Sequence, residues 1–247
     1  MPERSDSNDP LVPPDGVALI TGASRGIGRA IALRLAADGR PLALLARTES
    51  ALRNVAAEAE ASGADAVPIL CDVADPDQVA AAVARVRDRL GPIRIVVNNA
   101  GIFLDRPMQE TRLEQWERVL RVNLTAPFLV TKAAWPDMTR AGGGVVVNIA
   151  SKAAIQGYAG QSAYCAGKAG LLGWARALAI EGRPHNIRVH NICPGGVATE
   201  FIAGTPLAER LAGQVMLQPD DIAEAVRFCI SQPRNVDLPD MVMARFC

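Results

Sequence analysis

Tyr164 and Lys168 stand four residues apart in the run YCAGK, and Ser151 lies thirteen positions before the tyrosine, at the end of GGGVVVNIAS. On a helix, such an i, i+4 pair shares one face, about 6 Å apart along the axis. A phenol, an ammonium and a hydroxyl in that arrangement can move a proton to or from a carbon-bound oxygen. A free phenol has a pKa of about 10, a poor match to neutral pH. The neighbouring ammonium, an oxidised nicotinamide and the positive end of the helix are each expected to favour the phenolate. Tyr164 would then donate to a carbonyl oxygen, or accept from an alcohol, while Ser151 fixes that oxygen. Many helices carry a YxxxK pair, so its meaning depends on what else reaches the same place.

Near the N-terminus, TGASRGIG sets Gly22, Gly26 and Gly28 between an apolar run and a helical pattern. Without Cβ atoms, this backbone can turn sharply and approach a pyrophosphate. From Ile27 a helix opens whose free N–H groups favour that anion. The GxxxGxG spacing by itself also fits an ordinary glycine-rich turn. Its place after the first strand and before the first helix makes it a dinucleotide cradle, with Ser24, Arg25 and Ile27 on the same loop.

The second strand, PLALLART, bears on the cofactor. An acid at its end would hold ribose hydroxyls and repel a 2′-phosphate. This chain has Ala46-Arg47-Thr48 there, and the Arg47 guanidinium suits phosphate. Arg25 could meet the same phosphate from the glycine loop, so NADP(H) is the expected cofactor. Asp72-Val73, after the third strand, resembles an adenine contact.

Short apolar runs alternate with helical patterns along the chain. Strands are predicted at Val17–Ile20, Leu42–Ala46, Ala66–Leu70, Ile93–Asn98, Val145–Ile149, Ile187–Ile192 and Met241–Ala244. Helices are predicted near Ile27–Asp38, Glu49–Ala61, Asp77–Leu90, Leu113–Arg140, Gln161–Glu181 and Pro219–Ser231. Asp75-Pro76 reads as an N-cap followed by a first-turn proline, and Gly91 as the end of that helix. The pattern predicts an α/β fold: one doubly wound, Rossmann-type domain with a mainly parallel sheet and helices on both faces. Ligands of such sheets bind beyond the carboxyl ends of the strands. The glycine loop, Asp72, Asn98–Gly101, Ser151 and Pro194–Thr199 are therefore expected to meet at one crevice. The proline-rich residues 1–15 read as a disordered tail, and 16–247 as the catalytic domain.

Bulk properties exclude several function classes. The 247 residues carry 26 basic and 26 acidic side chains, which gives no support for a nucleic-acid or membrane-surface partner. Near-neutral charge makes a homodimer or homotetramer plausible. The five scattered cysteines read as reduced thiols rather than disulfides or metal ligands. Neither a signal peptide nor a transmembrane run is legible, so a cytoplasmic location is expected. His185 and His190 lack ligand spacing and read as structural, and no metal is expected. Arg85, Arg87 and Arg89 read as a solvated helix face.

Over roughly residues 15–232 the chain resembles the short-chain dehydrogenase/reductase family. TGASRGIG resembles its cofactor loop, and Asn98-Asn99-Ala100-Gly101 its sheet-bracing NNAG segment. The resemblance implies a catalytic tetrad of Asn123, Ser151, Tyr164 and Lys168, with Asn123 holding a water in the proton relay. Tyr164 and Lys168 would also contact the cofactor, Lys168 through the nicotinamide ribose. Pro194, Gly195, Val197 and Thr199 would contact the nicotinamide carboxamide, and Asn99 joins the cofactor set. The chain departs from the family in its ending, DLPDMVMARFC, which lacks a common Asp-Gly-Gly turn, and in Gly167, where Ser or Ala is usual. Ile102, Phe103, Leu104, Ile155, Tyr158, Phe201 and Ile202 predict a largely apolar substrate site, with 201–215 a candidate lid. The expected activity is carbonyl–alcohol interconversion on a small molecule, with ketones and 3-oxoacyl thioesters among the substrate classes. The rival is a non-catalytic NADP(H) sensor or scaffold, which would have no need for a proton relay. A nucleotide-sugar epimerase shares much of the site but usually needs a further substrate domain.

Overall fold

The computed structural model describes residues 10–246. Seven strands, β1 (Val17–Thr21), β2 (Leu42–Ala46), β3 (Ala66–Leu70), β4 (Ile93–Asn98), β5 (Gly144–Ile149), β6 (Ile187–Pro194) and β7 (Asp240–Met243), form one parallel sheet. Their order is β3-β2-β1-β4-β5-β6-β7. Between them run α1 (Gly26–Ala37), α2 (Glu49–Ala61), α3 (Pro76–Leu90), α4 (Leu113–Leu120), α5 (Ala126–Arg140), α6 (Ser162–Gly182), α7 (Pro206–Arg210) and α8 (Pro219–Ile230).

Continuous apolar strands are what a sheet covered on both sides requires. Ala18, Ile20, Leu42 and Leu44 face the layer of α1, α2 and α8. Their alternate neighbours Val17, Leu19, Ala43 and Leu45 face α3, α5 and α6. Burying each Leu or Ile side chain contributes about 1.5–3 kcal/mol before entropy is charged against it. At α3, Asp75 accepts from the N–H groups of Asp77 and Gln78, Pro76 occupies the first turn, and Gly91 ends the helix at φ +93°. No helix among the described residues is long and apolar enough to cross a membrane.

Three expectations need correction. The predicted helix Leu113–Arg140 is α4 and α5 joined by a π-helical turn, Arg121–Thr125. Such one-turn insertions re-aim side chains, and this one carries Asn123. Residues 10–15 of the expected disordered tail are packed: Leu11 and Val12 are buried, and Arg40 donates to the carbonyls of Pro13 and Gly16. Two apolar side chains among the prolines suffice to seat the segment; residues 1–9 lie outside the described part. Arg87 is not simply solvated either. It grips the buried Asp137 of α5 at 2.9 Å and donates to the Ala133 carbonyl. Asp137 also accepts from Arg140 and from the backbone N–H of Ile93.

A row of polar side chains crosses the sheet just below its carboxyl ends. Asn98 donates to Asn148 (2.9 Å), Asn148 to Asn191 (3.0 Å), and Asn191 to Asp240 (2.8 Å). The register makes this possible, because Asn98, Asn148, Asn191 and Asp240 are successive neighbours on β4 to β7. Arg176 of α6 closes the row on Asp240. Replacing Asn148 by Leu would strand amide groups on both sides. The variant is expected to lose about 1–3 kcal/mol of unfolding free energy, read from urea denaturation.

Candidate active site

Helix α6 delivers both leading residues. Its inward face is Ala163, Tyr164, Gly167, Lys168, Leu171 and Leu172, so tyrosine and lysine are buried because they share the stripe that packs the helix on the sheet. Lys168 Nζ donates to the carbonyl of Ile149 at 2.7 Å. Ser151 follows the end of β5, and its hydroxyl accepts from the N–H of Ala153 at 3.1 Å. Phe103 meets the Tyr164 ring edge-on at a centroid distance of 5.0 Å, and Phe201 lies 6.2 Å away.

Burial works against the expected drift toward phenolate. Burial among apolar rings pushes the Tyr164 phenol up to about 12, with the Ser151 hydroxyl pulling the other way. The Lys168 ammonium, 6.0 Å from the ring centroid, does not offset this. Burial also lowers Lys168 itself, to about 8. Desolvation disfavours whichever form is charged, so Tyr164 keeps its proton at neutral pH.

Asn123 sits in the π turn, fully buried. Its side-chain amide is spent on one residue: it accepts from the Ile102 N–H and donates to the Ile102 carbonyl, both at 2.9 Å. A Cβ at position 167 would lie 3.2 Å from Asn123 Cβ. Gly167 therefore lets α6 approach the π turn, which accounts for a glycine inside that helix.

One cavity of about 690 Å³ spans the carboxyl ends of the strands. At one end it is lined by Gly22, Ser24, Arg25, Gly26, Ile27, Arg47, Asp72 and Val73; in its middle and far parts by Asn99, Ser151, Tyr164, Lys168, Pro194, Gly195, Val197 and Thr199. Of the catalytic and cofactor-binding residues expected from sequence, Gly28 and Asn123 do not line it. A Cβ on Gly28 would stand 2.2 Å from the Gly22 carbonyl oxygen, so Gly28 serves the contact between α1 and the loop. Gly22 and Gly26 take positive φ, +65° and +52°. The first turn of α1 has neither a side-chain cap nor an acid. Its N–H groups are available to an anion in the cavity.

Other cavity residues are more constrained. Asn99 donates to the Thr21 and Gly22 carbonyls, bracing the loop. Asp72 accepts from the Ala74 N–H, and Thr199 from the Phe201 N–H. Arg47 is exposed, and Arg25 lies 3.8 Å from Glu200. Among the described residues no group of His, Cys, Asp and Glu could hold a metal. His190 is buried against the Leu238 carbonyl, and His185 stands edge-on to Trp135. Cys71, Cys193 and Cys229 are buried free thiols, whereas Cys165 is partly exposed; Cys247 lies outside the described residues.

The substrate side takes Ile102, Phe103, Tyr158, Phe201 and Ile202 as expected, but not Leu104 or Ile155. Leu207 and Leu211 of the candidate lid and Met216 just beyond it join them, as do Lys152, Gln161 and Arg245. The 201–215 segment is clasped on two sides. Arg210 of α7 binds Asp105 of the loop after β4 at 3.0 Å, and Arg245 donates to Gln214 and to the Val215 carbonyl. Lys152 could have been suspected as the neighbour of Ser151. Nothing in the spacing of Arg245 pointed to it, since only the pairing of β7 with β6 brings it there.

The lowered Lys168 value has a consequence for stability. Between about 8 and the ordinary 10.5, the unfolded chain holds a proton that the folded chain has released, so this residue makes stability rise with pH there. The unfolding free energy of the wild type, measured against Lys168→Met to cancel other groups, should increase from about pH 8 to about pH 10. Parallel urea titrations at both pH values test this; a flat difference would contradict it.

The model of the short chain dehydrogenase family matches residues 16–209. A 3-oxoacyl-[acyl-carrier-protein] reductase of Synechocystis sp. is 36% identical over 88% of this chain and 90% of its own length. The acetoacetyl-CoA reductase of Shinella zoogloeoides is 38% identical over 87% and 90%. Among solved structures, a metagenomic short-chain oxidoreductase in complex with NADP superposes with a TM-score of 0.83 at 33% identity, covering 94% of this chain and 98% of that one. The chain thus belongs to the short-chain dehydrogenase/reductase family of oxidoreductases acting on carbonyl and alcohol groups.

Proposed function

We propose that this protein is an NADP(H)-dependent carbonyl reductase, with residues 16–247 as its catalytic unit and Tyr164 as proton donor. One observation carries the reading: a single cavity joins the uncapped N-terminus of α1 to the buried Tyr164–Lys168 pair. The loop fits a dinucleotide, because Gly22 and Gly26 leave the backbone bare and the first-turn N–H groups of α1 have no side-chain cap. Gly22, Ser24, Gly26 and Ile27 would hold the pyrophosphate, with Gly28 keeping the helix close behind them. Asp72 and Val73 would border the adenine. Arg47, with Arg25, would hold the 2′-phosphate, for no acid stands at the end of β2. The NADP bound by the metagenomic relative agrees with this choice.

When bound, the nicotinamide supplies the hydride in reduction or receives it in oxidation. Pro194, Gly195, Val197 and Thr199 would position its carboxamide, and Asn99 keeps the neighbouring loop in place. Ser151 would hold the substrate's carbonyl oxygen. Tyr164, protonated at neutral pH, would give its proton to that oxygen as the carbon becomes an alcohol carbon. Lys168 would hold the ribose and pass a replacement proton toward the phenol. Asn123, locked to Ile102, fixes the π turn beside Lys168. The apolar wall formed by Phe103, Tyr158, Phe201 and Ile202 suits a substrate with an apolar body, in keeping with the 3-oxoacyl compounds in the names of the two curated relatives.

A panel of ketones and 3-oxoacyl thioesters, followed by NADPH consumption, tests the activity; cofactor binding with a dead panel would favour the sensor reading. Tyr164→Phe is expected to lower turnover by about 10²–10⁴-fold while NADPH binding is retained. Near-wild-type rates would remove Tyr164 from the donor role. Arg47→Asp should move the kcat/KM preference from NADPH toward NADH, and unchanged discrimination would refute the 2′-phosphate assignment.

A further inference from the structure

The cavity wall carries more positive charge than the proposed reaction uses. Arg25 and Arg47 belong to the cofactor end, and Lys168 to the proton relay. Lys152 and Arg245 remain, both half-buried and both lining the cavity. The acids on the wall do not answer them: Asp72 stands at the adenine end, and Glu200 faces Arg25. Neither Lys152 nor Arg245 is ion-paired among the described residues.

These two cations come from distant parts of the chain to one edge of the site. Lys152 directly follows Ser151, and its Cδ lies 3.4 Å from where a side chain on Gly195 would begin. The Gly195 N–H donates to the Met243 carbonyl at 2.8 Å, and Arg245 is two residues further on. The guanidinium of Arg245 bonds neutral acceptors only: Gln214, the Val215 carbonyl and the Met216 sulfur. Two partly desolvated cations without a counter-charge, next to an apolar wall, make a receptor for an anion.

We propose that Lys152 and Arg245 select substrates bearing an anionic group, a carboxylate or a phosphate, at the end remote from the reacting carbonyl. The inference rests on the carbonyl-substrate reading of this cavity. The substrate would then combine an apolar body, lying along Phe103 and Phe201, with a charged terminus near the ends of β6 and β7. An uncharged ketone of equal size would lack that second anchor.

Two matched pairs of probes test this with the NADP⁺-loaded protein by calorimetry, and with NADPH by steady-state kinetics. One pair is 6-oxoheptanoate and its methyl ester, in which a chain of methylenes separates the ketone from the charged end. The other is the 3-oxohexanoyl thioester of 4′-phosphopantetheine and that of pantetheine, which differ only in the phosphate. The charged member of one pair is expected to bind about tenfold more tightly, with the same ratio in KM. A gain confined to the first pair identifies the carboxylate, and one confined to the second identifies the phosphate. Lys152→Glu and Arg245→Met should each bring the ratio toward one. Equal affinities within both pairs would overturn the proposal, as would a preference that survives in both variants. If no probe is turned over yet the binding ratio holds, anion recognition stands and the reductase reading alone fails.

Discussion

Everything at the site depends on the reversal of strand order between β1 and β4. The chain winds outward from β1 through β2 to β3, then returns to place β4 on the other side. The loops leaving β1 and β4 therefore part in opposite directions and open a crevice at their carboxyl ends. An open crevice in a buried sheet exposes backbone polar groups that must find partners. Thr21 and Asn99 supply them. The Thr21 hydroxyl accepts from the N–H groups of Asn99 and Ala100 and donates to the Val97 carbonyl, while the Asn99 amide donates to the carbonyls of Thr21 and Gly22. These contacts hold the glycine loop at the width of the crevice.

The second constraint is burial of groups that prefer water. Tyr164 and Lys168 lie on the stripe of α6 that must pack against the sheet, so folding desolvates both. Burial keeps the phenol protonated and lowers the lysine to about 8. The Ile149 carbonyl partly offsets the cost for Lys168. The row from Asn98 to Asp240, closed by Arg176 from α6, ties that helix to four strands through hydrogen bonds with specific geometry. Apolar packing alone would leave α6 freer to slide, and proton transfer tolerates little slack.

Much of this was legible in the chain. Strand and helix positions followed from apolar runs and punctuation, and β2, β3, β4 and α2 begin and end where the pattern put them. Each segment expected at the crevice contributes to it because each follows a strand, although Gly28, Asn98 and Ala198 do not line the cavity. Other features were hidden for identifiable reasons. The π turn at Arg121–Thr125 leaves a helical pattern nearly intact, so periodicity reads through it. Leu11 and Val12 looked like part of a polar tail, because proline and charge dominate the composition around them. Arg87 shares a charged stretch with solvated neighbours, and only the approach of α5 shows that it answers Asp137.

By itself, the sequence determined the sheet, the cradle at the first turn and the identity of the polar groups that could move a proton. These are local properties: periodicity, spacing and the absence of a Cβ act within a few residues. Tertiary structure decided the burial of Tyr164, the use of Asn123 as a brace, and the arrival of Arg245 in the same cavity as Lys152. Each depends on what surrounds a group in space. Desolvation and charge compensation arise between segments far apart in the chain, so no local pattern encodes them.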